Sequence, residues 1–571
     1  MTQDRAATTP QAGTPAPAST PTTERARPAA ARWWVPSLAG SIGGLVAAIL
    51  SVTPSFLPRP ASLQGVLAAL AFGVGYLVGV LVWGAARAAL LRRYTLPRPG
   101  KSWWIAYALV WLVAVIALPS LALHWQNEIR RLVSMEPLNG LSVGAFLGTF
   151  IPLTLLFLLI GKGVRGLYRR FARRLRAPLA GLLTAGTVAA GLALVVAGAL
   201  AGVDRIFYAS NHGPEEGVTE PASTYRSAGE GSAIAWDTLG RHGTAFIGGG
   251  PSAAKITEIT GQPAKEPIRV YAGLESAPTT QARADLVVKE LERTGAFQRK
   301  VLMVATTTGS GWLEAQTVDS LEYLFGGDTA IASMQYAYTP SWVSFVFDPD
   351  APVDASRALF EAIEARWKQL AVDARPQLLA YGLSLGAHGT QAVFSDVDEL
   401  RARTDGALLV GSPNGSTMWR TLQSQRDAGT PEWQPVLDGG RQVRWMSRPG
   451  DGAAGQGEWE RPRVLYLQHA TDPITWLSPE LFWRRPDWLT PEQRSADLSP
   501  SMHWIPVVTG LQVTLDMLVS EAVPASYGHN FGDVVLTGWE QVSTGSTLDP
   551  AALERVQAEI ATYAQIPLFQ E

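Results

Sequence analysis

The chain contains no cysteine. That absence excludes disulfides, thiolate metal sites and a cysteine nucleophile, and it leaves the compartment open. Lysine is scarce as well, seven residues against forty arginines. With the load of Ala, Gly and Pro, this reads as a coding bias and carries no functional message. Charge of either sign is thin: charged residues make up 17% of the sequence and the formal net charge is −2, a balance that argues against a nucleic-acid partner. There is no internal repeat, and no leader with a short apolar core followed by a small-residue cleavage site. No closely spaced His/Asp/Glu set of the kind that holds a metal ion appears, and no cofactor is expected. What the sequence has in excess is apolar residues, 47% of a 571-residue chain. Such a chain is too long for one core, and its low charge points to a membrane portion.

The excess is concentrated at the front. Residues 1–32 are Ala/Pro/Thr-rich without apolar periodicity and are expected to form a disordered cytoplasmic tail. Five apolar runs follow, at about 35–57, 62–86, 102–124, 142–161 and 178–203. A helix needs roughly 20 residues to cross a hydrocarbon core of about 30 Å, so 33–204 reads as a bundle of five transmembrane helices. Pro119 and Pro152 should kink the third and fourth. Trp33, Trp34, Trp103, Trp104 and Trp125 stand at run edges, where interfacial anchors belong.

The loops alternate in charge. The tail carries Arg5, Arg25, Arg27 and Arg32, and the second connection Arg87, Arg92, Arg93, Arg98 and Lys101. The fourth carries seven basic residues from Lys162 to Arg176 and no acid. By contrast the first has only Arg59, and the third balances Glu128 and Glu136 against Arg130 and Arg131. The positive-inside rule then predicts a multi-pass protein of the cell membrane with its amino terminus in the cytoplasm. An odd number of spans would deliver everything after residue 204 to the outer side.

Residues 205–230 are polar and Gly/Pro/Ser-containing, a linker, and 231–571 have globular composition. Short apolar strands at 268–274, 301–305, 330–338, 378–381, 407–410 and 464–467 alternate with helical patterns near 280–294, 313–324 and 355–372. That alternation predicts a mostly parallel sheet with helices on both faces. Residues 415–460, with Trp419, Trp433, Trp445 and Trp459, read as an insertion near the site. Residues 504–520 read as an apolar helix too short for a sixth span.

The chemistry-bearing stretch is Leu378 to Gly389. A buried-strand pattern runs into Gly382-Leu383-Ser384-Leu385-Gly386 and then into a plausible helix. Strand, tight turn and helix are the setting of a nucleophile elbow, in which flanking glycines let neighbouring backbone come close. A serine nucleophile needs a base, a carboxylate to orient that base, and donors for the oxyanion. Asp472, in an Asp-Pro turn just past a strand, is the candidate acid; its alternative reading is a turn or N-cap residue. Asp396, Asp398 and Asp405 follow the serine too soon. His529, in the glycine-flanked Tyr527-Gly528-His529-Asn530 loop, is the candidate base, ahead of His503, which reads as a helix-opening residue beside Trp504. The oxyanion donors are expected to be the Leu385 amide and that of Thr307 or Thr308, in the loop after the strand at 301–305.

Taken together, the Gly-x-Ser-x-Gly turn, Asp472 and the Gly528-His529 loop resemble the α/β-hydrolase superfamily. The five-run front joined to such a domain is similar to a bacterial family of membrane-embedded α/β-hydrolases with an N-terminal multi-span region. The resemblance implies the fold and serine-nucleophile chemistry by an acyl-enzyme, and supplies no substrate; no His-Gly-Gly-Gly oxyanion motif is present. The expected activity is that of an esterase or lipase acting on a lipid or acylated envelope component, with membrane lipid as partner. An acyltransferase would use the same residues. A non-catalytic sensor or scaffold with a hydrolase fold is the reading from another class.

Overall fold

The computed structural model describes residues 37–89, 101–341, 343–344, 348–451 and 457–563. The expected tail at 1–32, Trp33, Trp34, Arg92, Arg93, Arg98 and the side chain of Trp104 lie outside the described residues.

The front of the chain forms α1 (Leu38–Ser51), α2 (Ala61–Ala89), α3 (Lys101–Leu132), α4 (Ser142–Ala172) and α5 (Ala177–Asn211). Four of these, α2 to α5, are long and apolar enough to cross a membrane. Leu81, Val113, Leu155 and Leu194 are each more than half exposed, an arrangement that lipid satisfies and water does not. Pro119 and Pro152 lie inside α3 and α4, which continue through them.

Of the five expected spans, α1 is the one whose described length falls short of a crossing. It has 14 described residues, about 21 Å at 1.5 Å per residue. The apolar run is longer in the sequence because Val52 to Leu57 extend it, but Pro54, Pro58 and Pro60 cannot sustain a helix. Instead 52–60 leaves the bundle and enters the following domain, where Phe56 and Leu57 belong to its hydrophobic core. The two helices flanking this loop touch backbone to backbone: a Cβ on Gly43 would stand 2.4 Å from the Gly75 carbonyl oxygen, and one on Gly75 2.3 Å from that of Gly43. Small residues permit that approach.

The second unit is built on seven strands: β1 (Ile268–Ala272), β2 (Val301–Thr306), β3 (Thr329–Met334), β4 (Gln377–Leu383), β5 (Gly406–Val410), β6 (Val443–Met446) and β7 (Arg463–Leu467). All pairs are parallel, in the order β1-β3-β2-β4-β5-β7-β6. The strands are buried almost throughout, which accounts for their continuous rather than alternating apolar pattern. Helices Thr280–Thr294, Ala351–Lys368 and Leu385–Ala392 pack as one group, and Ala315–Leu324, Val535–Val542 and Pro550–Ala561 as another, covering the two faces.

Three expectations change in detail. The linker at 205–230 begins later, because α5 runs on to Asn211, and its far part is structured: the Arg269 amide donates to the Tyr225 carbonyl and the Ser227 amide to that of Arg269, along the free edge of β1. The insertion at 415–460 supplies β6, a sheet strand that the charge of Arg444 hid within a short apolar run. Its Trp419, Trp445 and Trp459 are buried in the core, and none of the four tryptophans lines the cavity described below.

Candidate active site

The site begins where β4 stops. Ser384 has φ 56° and ψ −122°, a backbone conformation that non-glycine residues rarely adopt and that persists only where surroundings hold it. Its amide donates to the Val410 carbonyl at 2.8 Å. The flanking glycines are required by space: a Cβ on Gly382 would meet the Gly386 carbonyl at 2.3 Å, and one on Gly386 the Thr306 carbonyl at the same distance. The serine therefore stands at the head of helix Leu385–Ala392, whose first amides have no intrahelical partner.

Asp472 follows β7 and is fully buried. One oxygen, Oδ1, accepts from the Ile474 amide at 2.9 Å and caps the short helix Pro473–Trp476; the other, Oδ2, lies 2.7 Å from Nδ1 of His529. The one carboxylate thus caps a helix and pairs with an imidazole.

His529 is held by its loop. Its amide donates to the Ser520 carbonyl at 2.7 Å, and the Gly528 amide to Thr471 Oγ1 at 2.9 Å. Gly411 makes room for the ring, since a Cβ there would stand 2.2 Å from Cε1. Among the described residues Nε2 of His529 is buried without a hydrogen-bond partner. Ser384 and His529 line the same cavity of about 660 Å³, a size suited to a small or chain-like ligand. No hydrogen bond joins them.

In the sequence His469 is only a neighbour of the acid. In the structure its Nδ1 sits 2.9 Å from the Gly528 carbonyl and its Nε2 3.0 Å from that of Ser447, with the ring stacked on Phe531, so it braces the His529 loop. His503 is exposed, precedes helix Val508–Asp516 by several residues rather than opening it, and is absent from the cavity. Asp396 caps helix Val397–Arg403, Asp398 is exposed, and Asp405 accepts from the Leu378 amide. None of the three reaches the cavity.

Of the oxyanion candidates, Leu385 and Thr308 line the cavity and Thr307 is buried behind it. The amide of Thr308 donates to the Trp312 carbonyl at 3.0 Å, and those of Gly309 and Gly311 are also engaged within the loop region.

Two carboxylates in the cavity escaped the sequence reading. Glu314 is buried, accepts from the Thr317 hydroxyl, and is pushed up to about 7 by burial. Glu521 opens onto the cavity, yet enough protein surrounds its carboxyl to raise it above the ordinary value. For His529 burial opposes protonation, but the charge and hydrogen bond of Asp472, followed by Glu521 and Glu314, outweigh it and raise the imidazole above 6.5.

With this geometry in view, the comparisons with known proteins are specific. The sequence profile of a family described as an alpha/beta-hydrolase family matches residues 268–556, and one described as the N-terminus of an alpha/beta-hydrolase family matches 52–251. The chain belongs to the alpha/beta-hydrolase family. No curated protein and no solved structure matches. In this alpha/beta-hydrolase the N-terminal match opens at Val52, so it takes in the loop 52–60 that enters the hydrolase core.

Proposed function

We propose that the protein is a membrane-anchored serine hydrolase acting on an ester of a lipid or an acylated envelope component. His529, oriented by Asp472, takes the proton of the Ser384 hydroxyl as its oxygen attacks the acyl carbonyl. The amides of Leu385 and Thr307 receive the oxyanion, the second chosen because the Thr308 amide is already engaged. The imidazolium gives its proton to the departing alcohol, leaving an acyl-Ser384 ester. Water, deprotonated by the same imidazole, then releases the acid.

The observation that carries this reading is the 2.7 Å pair of Asp472 and His529, whose other ring nitrogen is unpartnered in the cavity that holds the strained Ser384. The test uses the purified full chain with a fluorophosphonate label and p-nitrophenyl butyrate. Ser384→Ala should abolish labelling and lower kcat by at least about 10³-fold, and Asp472→Asn by about 10⁴-fold. Labelling that survives Ser384→Ala would overturn the assignment.

A further inference from the structure

The cavity has one wall that does not come from the hydrolase domain. Phe207, Ser210 and Asn211, in the last two turns of α5, line it together with Ser384. The apolar run of that helix ends at Val203, followed by Asp204 and Arg205. Phe207 is therefore about one turn, roughly 6 Å at 1.5 Å per residue, beyond the stretch that fits the hydrocarbon core. The helix is fixed to the domain at this height. Tyr338, itself a cavity residue, donates its hydroxyl to Asp204 Oδ1 at 2.6 Å, and Asn211 Oδ1 accepts from Gln335 Nε2 at 2.8 Å. Around the serine the lining is apolar, with Leu383, Leu385, Ile474, Leu477, Met517 and Leu518. Next to Phe207 in the chain, Ile206 remains two-thirds exposed, and Tyr208 packs its ring edge-on against Tyr338 at the cavity.

We propose that the end of α5 is the acyl-chain wall of the substrate site, and that the substrate is an ester carried in the bilayer that enters sideways along this helix. The inference rests on the serine-hydrolase reading and narrows it. An ester standing at the level of the lipid headgroups would reach Ser384 with its chain still against α5, so the chain would not have to cross water. Phe207 is then a residue that sets chain preference, with no part in proton transfer.

The experiment uses the full chain reconstituted in phosphatidylcholine nanodiscs, with p-nitrophenyl acetate as the short ester and p-nitrophenyl palmitate as the long one. Phe207→Trp should lower kcat/KM for palmitate at least tenfold more than for acetate, mainly through KM. Phe207→Ala should shift the optimum towards longer or bulkier chains. As a second readout, a fluorophosphonate carrying a diazirine on a long alkyl chain should, after reaction with wild type and irradiation, crosslink to the peptide containing Phe207. Variants that change both esters alike, or neither, together with crosslinks confined to hydrolase-domain peptides, would overturn the inference while leaving the hydrolase intact. If neither ester shows Ser384-dependent turnover or labelling, the underlying reading fails, and the inference fails with it.

Discussion

At the scale of single residues, the site is governed by charge around one imidazole. In the proposed mechanism His529 must be neutral to accept the serine proton, yet Asp472, Glu521 and Glu314 together raise it above 6.5 against the effect of burial. Hydrolysis of a soluble ester should therefore rise with pH through an apparent pKa above 6.5. Glu314→Gln and Glu521→Gln each remove a negative charge that favours the imidazolium, so each should move that limb towards acid, by roughly half a unit; a limb that stays in place in both would refute this account. Glu314 carries a second expectation. Its folded-state carboxyl is raised to about 7, so its contribution to stability is complete below the unfolded value near 4.5 and is lost as pH rises through 7. In thermal unfolding, wild type should lose more stability than Glu314→Gln between pH 5 and pH 9, and the two should converge at pH 4. Gln keeps the Thr317 bond because its amide oxygen can still accept it. These carboxylates were not legible in the sequence. Ser384 is a candidate in the sequence because of the glycines its turn requires, Asp472 because of its strand end, and His529 because of its glycine-flanked loop. Glu314 looks like any helix-leading acid until the His529 loop and the cavity close around it.

At the scale of elements, the joint between the two units is the loop 52–60. Arg59 Nε meets Asp516 Oδ1 at 2.6 Å with both side chains fully buried, and the Phe56 amide donates to Asp516 Oδ2 at 3.2 Å. Gln512 Nε2 reaches the carbonyl of Thr53 at 2.8 Å. The tie reaches the site, because helix Val508–Asp516 leads to Ser520, whose carbonyl holds the His529 amide, and because Leu57 packs beside Gly528. A buried pair is worth little over an apolar replacement, but half of one is costly. Arg59→Met should therefore destabilise by about 3–5 kcal/mol, and the double change Arg59→Met with Asp516→Leu should recover most of that loss, measured by thermal unfolding in detergent. Equal destabilisation in the single and double variants would mean that the pair is not what matters. Nothing local points to this contact. The partner of Arg59 lies 457 positions away, and hydropathy alone reads the loop as membrane. The sheet was more legible, since a strand buried on both faces leaves a continuous apolar trace, whereas the four residues of β6 with Arg444 among them do not.

At the scale of the whole molecule, the parity of the spans sets on which side of the membrane the amino terminus lies relative to the hydrolase domain. The loops 52–60 and 133–141 and the end of α5 all meet the hydrolase domain: Arg59 bonds Asp516, Met135 packs on the core, Ser499 bonds Glu128 at the end of α3, and Asn211 bonds Gln335. The carboxyl ends of α1, α3 and α5 thus share one side of the bundle. α1 runs antiparallel to α2 as far as Ala39 against Gly79, some 18 residues or about 27 Å along α2 from its first residue at 1.5 Å each. α2 continues beyond that contact to the basic Arg87, so its basic end stands on the side of the amino end of α1. Because the protein has no cysteine, single cysteines report topology against a blank background. With a membrane-impermeant maleimide on intact cells, Glu216→Cys in the hydrolase-side segment and Glu136→Cys in the α3–α4 loop should label, while Arg174→Cys should label only after permeabilisation. Ser19→Cys in the tail decides the count. Protection like that of Arg174→Cys means that α1 completes a fifth crossing and the hydrolase faces outward. Labelling like that of Glu216→Cys means four crossings, with α1 reduced to a helix that packs against α2 and returns its chain to the hydrolase side.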